Sequence, residues 1–146
     1  MILDALLLVS NSQAVTATAG STNVIDLGAP TVRNRVGSGE PVGFVVCNDV
    51  AADFTTGDET YTVQILASAT ENMASPTVIA SVALAAAQRA IGSQLFIGIP
   101  KGQPILRFLA LNYVTAGTTP TWTVTAGLVP STFVDDQVHY AKGYST

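Results

Sequence analysis

One cysteine, one histidine and one tryptophan in 146 residues exclude most familiar site chemistry from this chain. The lone thiol, Cys47, permits no intramolecular disulfide, which fits a reducing site of synthesis. Its place in the apolar run Gly43-Phe44-Val45-Val46-Cys47 reads as a buried, inert sulfur. With a single imidazole, His139, there is no zinc-spaced set of Cys and His, and neither a serine elbow nor a Walker-type loop occurs. His139 stands near Asp135 and Asp136, but in so polar a segment it reads as a solvated side chain. No metal, cofactor or catalytic residue is therefore expected, and the chain is not expected to be an enzyme.

Charge is scarce as well. Charged residues make up 11% of the chain, against about 25% in an average soluble domain, and the formal net charge is -4. Clustered Lys and Arg are missing, which argues against general nucleic-acid binding. Long apolar runs are also absent: the Ala-rich stretch 82–87 ends at Gln88-Arg89, far short of a membrane span. The apolar opening, residues 1–9, lacks a basic segment and carries Asp4, so it does not read as a signal peptide. A soluble protein made in the cytoplasm, with no membrane partner, is the expectation.

What is present is apolar and β-branched. Hydrophobic residues account for 48% of the chain. With so few charges, many faces must be covered by something else: Thr and Ser, further copies of the chain, or a partner. At this length one domain is expected, burying roughly two thirds of the surface its unfolded chain exposes.

Taken in order, an opening strand ends at the turn signal Ser10-Asn11-Ser12, and residues 13–19 alternate small apolar with polar side chains. Residues 22–27 read as a further strand. The stretch 27–41, with Pro30, Gly37, Gly39 and Pro41 and the basic pair Arg33 and Arg35, reads as a long loop. Residues 42–47 form an apolar strand ended by Asn48-Asp49, and an acidic, turn-rich segment follows to Glu59. The clearest alternation places Tyr61, Val63, Ile65 and Ala67 on one face, with Leu66 out of pattern. Strands are expected at 77–84 and 94–99. Between them, residues 84–90 are ambiguous, with helical alanines in a piece too short for more than one turn.

The chain reads as organised around residues 105–128, where two strand-like runs flank Thr115-Ala116-Gly117-Thr118-Thr119-Pro120; a β-hairpin is the simplest reading. In the first run Leu106, Phe108 and Ala110 share one face and Ile105, Leu109 and Leu111 the other, so both faces read as buried. In the second, Trp122, Val124, Ala126 and Leu128 alternate with threonines, so one side is wetter. The extra apolar face of the first run is covered either by the second sheet and a loop or by another copy. The whole reads as about eight or nine short strands with no convincing helix, an all-β sandwich or barrel. Residues 1–130 make the β-sandwich domain and residues 131–146 an extended C-terminal arm.

Three weaker signals have plain structural readings. The carboxylates of Asp49, Asp53, Asp58 and Glu59 match no standard calcium loop and read as a solvated turn. Gly37-Ser38-Gly39-Glu40-Pro41 precedes no helix, which a phosphate cradle needs. Trp122 and the tyrosines Tyr61, Tyr113, Tyr140 and Tyr144 raise carbohydrate binding, although Trp122 reads as core; aromatics on an arm are typical anchors in a partner's pocket.

Several segments in order carry a resemblance: Met1-Ile2-Leu3-Asp4, Thr22-Asn23-Val24-Ile25-Asp26-Leu27-Gly28, Gly37-Ser38-Gly39-Glu40-Pro41, Thr62-Val63-Gln64-Ile65, Ser75-Pro76-Thr77-Val78-Ile79, Arg107-Phe108-Leu109-Ala110-Leu111-Asn112-Tyr113 and Thr123-Val124-Thr125-Ala126-Gly127-Leu128. Together they resemble the capsid cement (decoration) protein family of tailed bacteriophages, over most of the chain up to about residue 129. The resemblance implies a jelly-roll-like antiparallel β-sandwich and no enzymatic activity. It implies a virion structural protein, made in the host cytoplasm, that binds the outer capsid surface and cements neighbouring major capsid proteins. Its partners would be the major capsid protein and itself, as a homo-oligomer, with a dimer favoured over a trimer. Arg33 and Arg35 on the long loop and Phe133, Tyr140 and Tyr144 on the arm are the expected capsid or oligomer contacts. The alternative is a carbohydrate-binding or adhesion β-sandwich module resting on exposed aromatics.

Overall fold

The computed structural model describes residues 3–28, 41–101 and 106–131. Its strands are β1 (Leu8–Val15), β2 (Ala19–Gly20), β3 (Ile25–Asp26), β4 (Val42–Val50), β5 (Thr60–Ser68), β6 (Thr77–Ala83), β7 (Gln94–Gly98), β8 (Phe108–Ala116) and β9 (Trp122–Pro130). Every pairing among them is antiparallel. One sheet runs β1-β9-β4-β7; the other runs β2-β8-β5-β6, with β3 also paired to β8.

Taking β2 and β3 as one interrupted strand, the pairs are nested: first with last, second with penultimate, and so inward to β5 with β6. That nesting, split over two sheets, is a jelly roll. The expected all-β sandwich is borne out. Residues 84–90 resolve as a single 3-10 turn, Ala86–Gln88, as their length required.

β5 shows how local pattern becomes layer. Tyr61, Val63, Ile65 and Ala67 point inward and are buried, while Thr60, Thr62 and Gln64 point outward. Leu66, the residue out of pattern, faces outward yet is buried. Across from it, β6 carries one extra residue: Ile65 pairs with Ala80 and Leu66 with Val78, leaving Ile79 as a bulge that joins the core.

The expected hairpin over residues 105–128 is not there. β8 pairs with β2, β3 and β5, whereas β9 pairs with β1 and β4 in the other sheet. The turn between them is a crossover from sheet to sheet. Each strand carries a complete inward apolar row, Leu109, Leu111 and Tyr113 on β8 and Trp122, Val124, Ala126 and Leu128 on β9. Two such rows bury each other face to face across the sandwich, and alternation alone does not distinguish that from side-by-side pairing. Both faces of β8 are nonetheless buried as expected, with Phe108 and Ala110 on the outward side. Their cover comes from within a single chain.

Three smaller expectations also change. Ser10-Asn11-Ser12 does not end a strand; it lies inside β1 as an irregularity with two register shifts, and Ser12 has φ 45°. Ser10 is buried there, its hydroxyl 2.8 Å from the Tyr113 hydroxyl of the opposite sheet. β4 runs on through Asn48 and Asp49 to Val50 rather than ending at residue 47. The strand expected at 22–27 shrinks to β3, while Gly20, outside the strands expected, is paired with Asn112 in β2.

The core closes around aromatic contacts at one end. Trp122 meets Tyr61 and Tyr113 edge to face, each with ring centroids 5.6 Å apart. Its indole N–H donates to Asn48 Oδ1 at 3.0 Å, and Asn48 Nδ2 donates to the carbonyls of Gln88 and Ala90. Tyr61 donates its hydroxyl to the Asp53 carbonyl at 2.8 Å. Every polar tip in this cluster thus has a partner, as burial demands.

Candidate functional site

The contact residues expected from sequence, Arg33, Arg35, Phe133, Tyr140 and Tyr144, lie outside the described residues, as do His139 and most of the C-terminal arm. The surface that is described has its own pattern. Across all nine strands the charged residues are Asp26 and Asp49. Asp4, Asp53, Asp58, Glu59, Glu71, Arg89, Lys101 and Arg107 all sit in connections.

Even the two strand carboxylates are occupied. Asp26 accepts from Arg107 Nε and Nη2, both at 2.7 Å, a bidentate ion pair at the start of β8. Those bonds hold its carboxyl down at about 2, from 3.8. Asp49 accepts from Thr125 Oγ1 at 2.6 Å and Ser12 Oγ at 2.9 Å. Both outer sheet faces are therefore poor in charge, built mostly from Thr, Ser, Asn, Gln and apolar side chains, with Asp49 as the one strand carboxylate that no cation pairs among the described residues. On the five-stranded sheet, Asn112 Nδ2 donates to Gln64 Oε1 at 3.0 Å beside the row Ala110, Leu66 and Val78, of which Val78 is exposed.

The acidic loop is not a solvated turn throughout. Glu59 is fully buried and serves as an internal acceptor: Oε1 takes the N–H of Thr56 and also its hydroxyl, and Oε2 takes the N–H of Gly57 at 3.0 Å. Asp58 accepts from the N–H and hydroxyl of Thr118, tying this loop to the β8–β9 crossover. The Thr56 hydroxyl, which lies within hydrogen-bond distance of both carboxylates, is the largest cause that pushes Asp58 and Glu59 below their ordinary range, followed for Asp58 by the Thr118 bonds and helped for Glu59 by the backbone N–H donors. Among the described residues no three His, Cys, Asp or Glu side chains come together as a metal site.

Cys47 corrects its sequence reading. The sheet continues past it, and it faces outward on β4, half-buried, in an open depression of about 510 Å³ lined also by Leu3, Leu8, Asp49, Gln94 and Thr125. Partial burial and the neighbouring Asp49 carboxylate push its thiol up, so it remains a poor nucleophile at neutral pH. Trp122, Tyr61 and Tyr113 are buried and present no ring to a sugar.

Sequence reading missed the exposed apolar side chains on the connections at the Trp122 end. Phe54 and Ile91 project from the β4–β5 and β6–β7 loops, and Val50 ends β4 beside them. The loops are joined by the Ala52 N–H to Arg89 carbonyl bond at 2.9 Å, and the Arg89 guanidinium lies 3.9 Å over the Phe54 ring. One signal was available: an aromatic in an acidic turn and an isoleucine beside a glycine belong to no strand that would bury them.

Comparison with protein-family models gives a match. The family model Bbp16 matches residues 9–133, from β1 to just beyond β9. The chain belongs to the Bbp16 family. No curated protein matches it. The Bbp16 match spans both sheets and both connections that carry Glu59 and Arg89, so the charge-poor faces and the cross-tied loop end belong to the family-matched region.

Proposed function

We propose that this Bbp16 family member is a non-enzymatic virion structural protein that binds the outer surface of an assembled phage capsid and cements neighbouring major capsid proteins. The observation that carries the reading is that, among the described residues, nearly all charge lies outside the strands, which leaves two charge-poor sheet faces on a protein with an acidic net charge. Such faces suit close packing against other proteins, because little charge must be stripped of water to cover them. The sequence resemblance to capsid cement proteins supplies the partner. Many copies on one lattice, each binding the mature shell in preference to its loosened form, stabilise it by mass action. In this reading Arg33, Arg35, Phe133, Tyr140 and Tyr144 are contacts with the capsid or with another copy.

The test is co-sedimentation of the purified chain with capsids stripped of it. Saturable binding at a fixed ratio to the major capsid protein, with a raised capsid melting temperature, is the expected result. Absence of binding at high protein concentration would overturn the reading. Replacing Phe133, Tyr140 and Tyr144 together by alanine is expected to lower occupancy without changing the melting of the free protein. No observation favours the carbohydrate-binding alternative, since the described aromatics that motivated it are buried.

A further inference from the structure

Two open sheets have four lateral edges, and three of them here are blunted. β1 breaks register twice and places Ser12 at positive φ. β2 and β3 are two-residue pieces. β7 is five residues long and runs into Pro100. Interruption, shortness and bulging are the usual devices that keep a sheet edge from pairing with another chain. β6 differs: seven residues, Thr77–Ala83, without charge or proline. Its one bulge residue, Ile79, turns into the core, and from Ala80 to Ala83 the strand pairs in regular register with β5. Among the described residues nothing pairs with its other edge, and Ser81, Ala83 and Val78 are exposed.

We propose that β6 pairs antiparallel with β6 of a second copy across a two-fold axis, joining the two five-stranded sheets into one. The proposal rests on the oligomer in the reading above and names its contact. A second copy is the occupant because the strand complements itself. A two-fold axis through Ser81 sets Ser81 opposite Ser81 on the outward face and Ala80 opposite Val82 on the inward face, so polar meets polar and apolar meets apolar. A neutral strand also lets two acidic chains approach without opposing like charges.

The experiment uses the full chain with Ser81→Lys and Ser81→Glu, both at an exposed position, with melting temperature as the check on folding. Sedimentation velocity should show a wild-type dimer, each variant alone as monomer with dissociation at least 100-fold easier, and a dimer restored when the two variants are mixed. A wild-type monomer, dimers that persist in both variants, or failure of the mixture to pair would each overturn the proposal. A wild-type monomer whose Ser81→Lys variant loses capsid binding would assign the edge to a capsid-protein strand instead, and so also overturn it. Capsid co-sedimentation is scored separately: loss of capsid binding by a correctly dimeric wild type would sink the cement reading while leaving the strand pairing in place.

Discussion

The two ends of the sandwich are held by different chemistry. At the end where β8 crosses to β9, side-chain hydrogen bonds tie the connections together, some of them buried and one exposed. Asn48 joins β4 to the β6–β7 loop and to Trp122, Tyr61 spans to Asp53, and Asp58 reaches Thr118. At the other end, among the described residues, the side-chain tie between β3 and β8 is an exposed ion pair, Asp26 with Arg107, beside backbone bonds such as Leu27 N–H to the Arg107 carbonyl. The contrast teaches where rigidity comes from in a charge-poor protein. A network of side-chain hydrogen bonds, partly buried around Asn48 and Trp122, fixes one end, while screened surface charge contributes little at the other.

The largest break in that comparison is Trp122→Ala. The indole is buried between the sheets and touches both tyrosine rings, so its removal leaves a cavity and strands the Asn48 amide. A loss of about 3–5 kcal/mol in urea unfolding is expected. A loss below about 1 kcal/mol would mean that the aromatic contacts are incidental to this end.

How much of this was legible beforehand depends on the range of the signal. β5, β6 and β7 were readable because alternation and β-branching are local, and so was the brevity of the turn at residues 86–88. The pairing of β8 and β9 was not, because a tight Gly-containing turn serves a hairpin and a crossover equally well. Only the inward rows, read against each other in space, separate the two. Ser10-Asn11-Ser12 was misread for a related reason: polar residues that end a strand and polar residues that bulge one look alike until Ser10 is seen bonded to Tyr113, 103 positions away in sequence. Glu59 was hidden because burial of a carboxylate depends on the turn that supplies its donors, and its sequence neighbours predict only a solvated loop. The charge-poor faces were foreshadowed by the low charge of the chain, but their placement needed the strand boundaries.

A middle-sized effect tests the loop end through pH. Glu59 is held in its charged form by Thr56 and Gly57, so its folded pKa lies below the ordinary 4.5. The stability it contributes is present above the unfolded value and lost as pH falls through the folded one. Glu59→Gln is expected to melt lower than wild type at pH 7, with the two melting curves converging as acid is added below about pH 4.5. A gap that stays constant with pH would show that the loop needs the shape of the side chain and not its charge.

The smallest effect belongs to the opposite end. Arg107→Ala removes the bidentate partner of Asp26, but both side chains are 44% exposed, so water and salt replace much of what is lost. Near-wild-type melting at pH 7 is expected. The difference lies in acid: wild-type Asp26 keeps its contribution until pH falls through about 2, whereas without Arg107 its carboxyl returns toward 3.8 and that window closes. Melting curves of the two proteins should therefore run close together and converge between pH 4 and pH 2. If Arg107→Ala instead cost as much as Trp122→Ala, the two ends would not differ in kind, and the exposed pair would have to anchor β3 to β8 in a way that screening does not weaken.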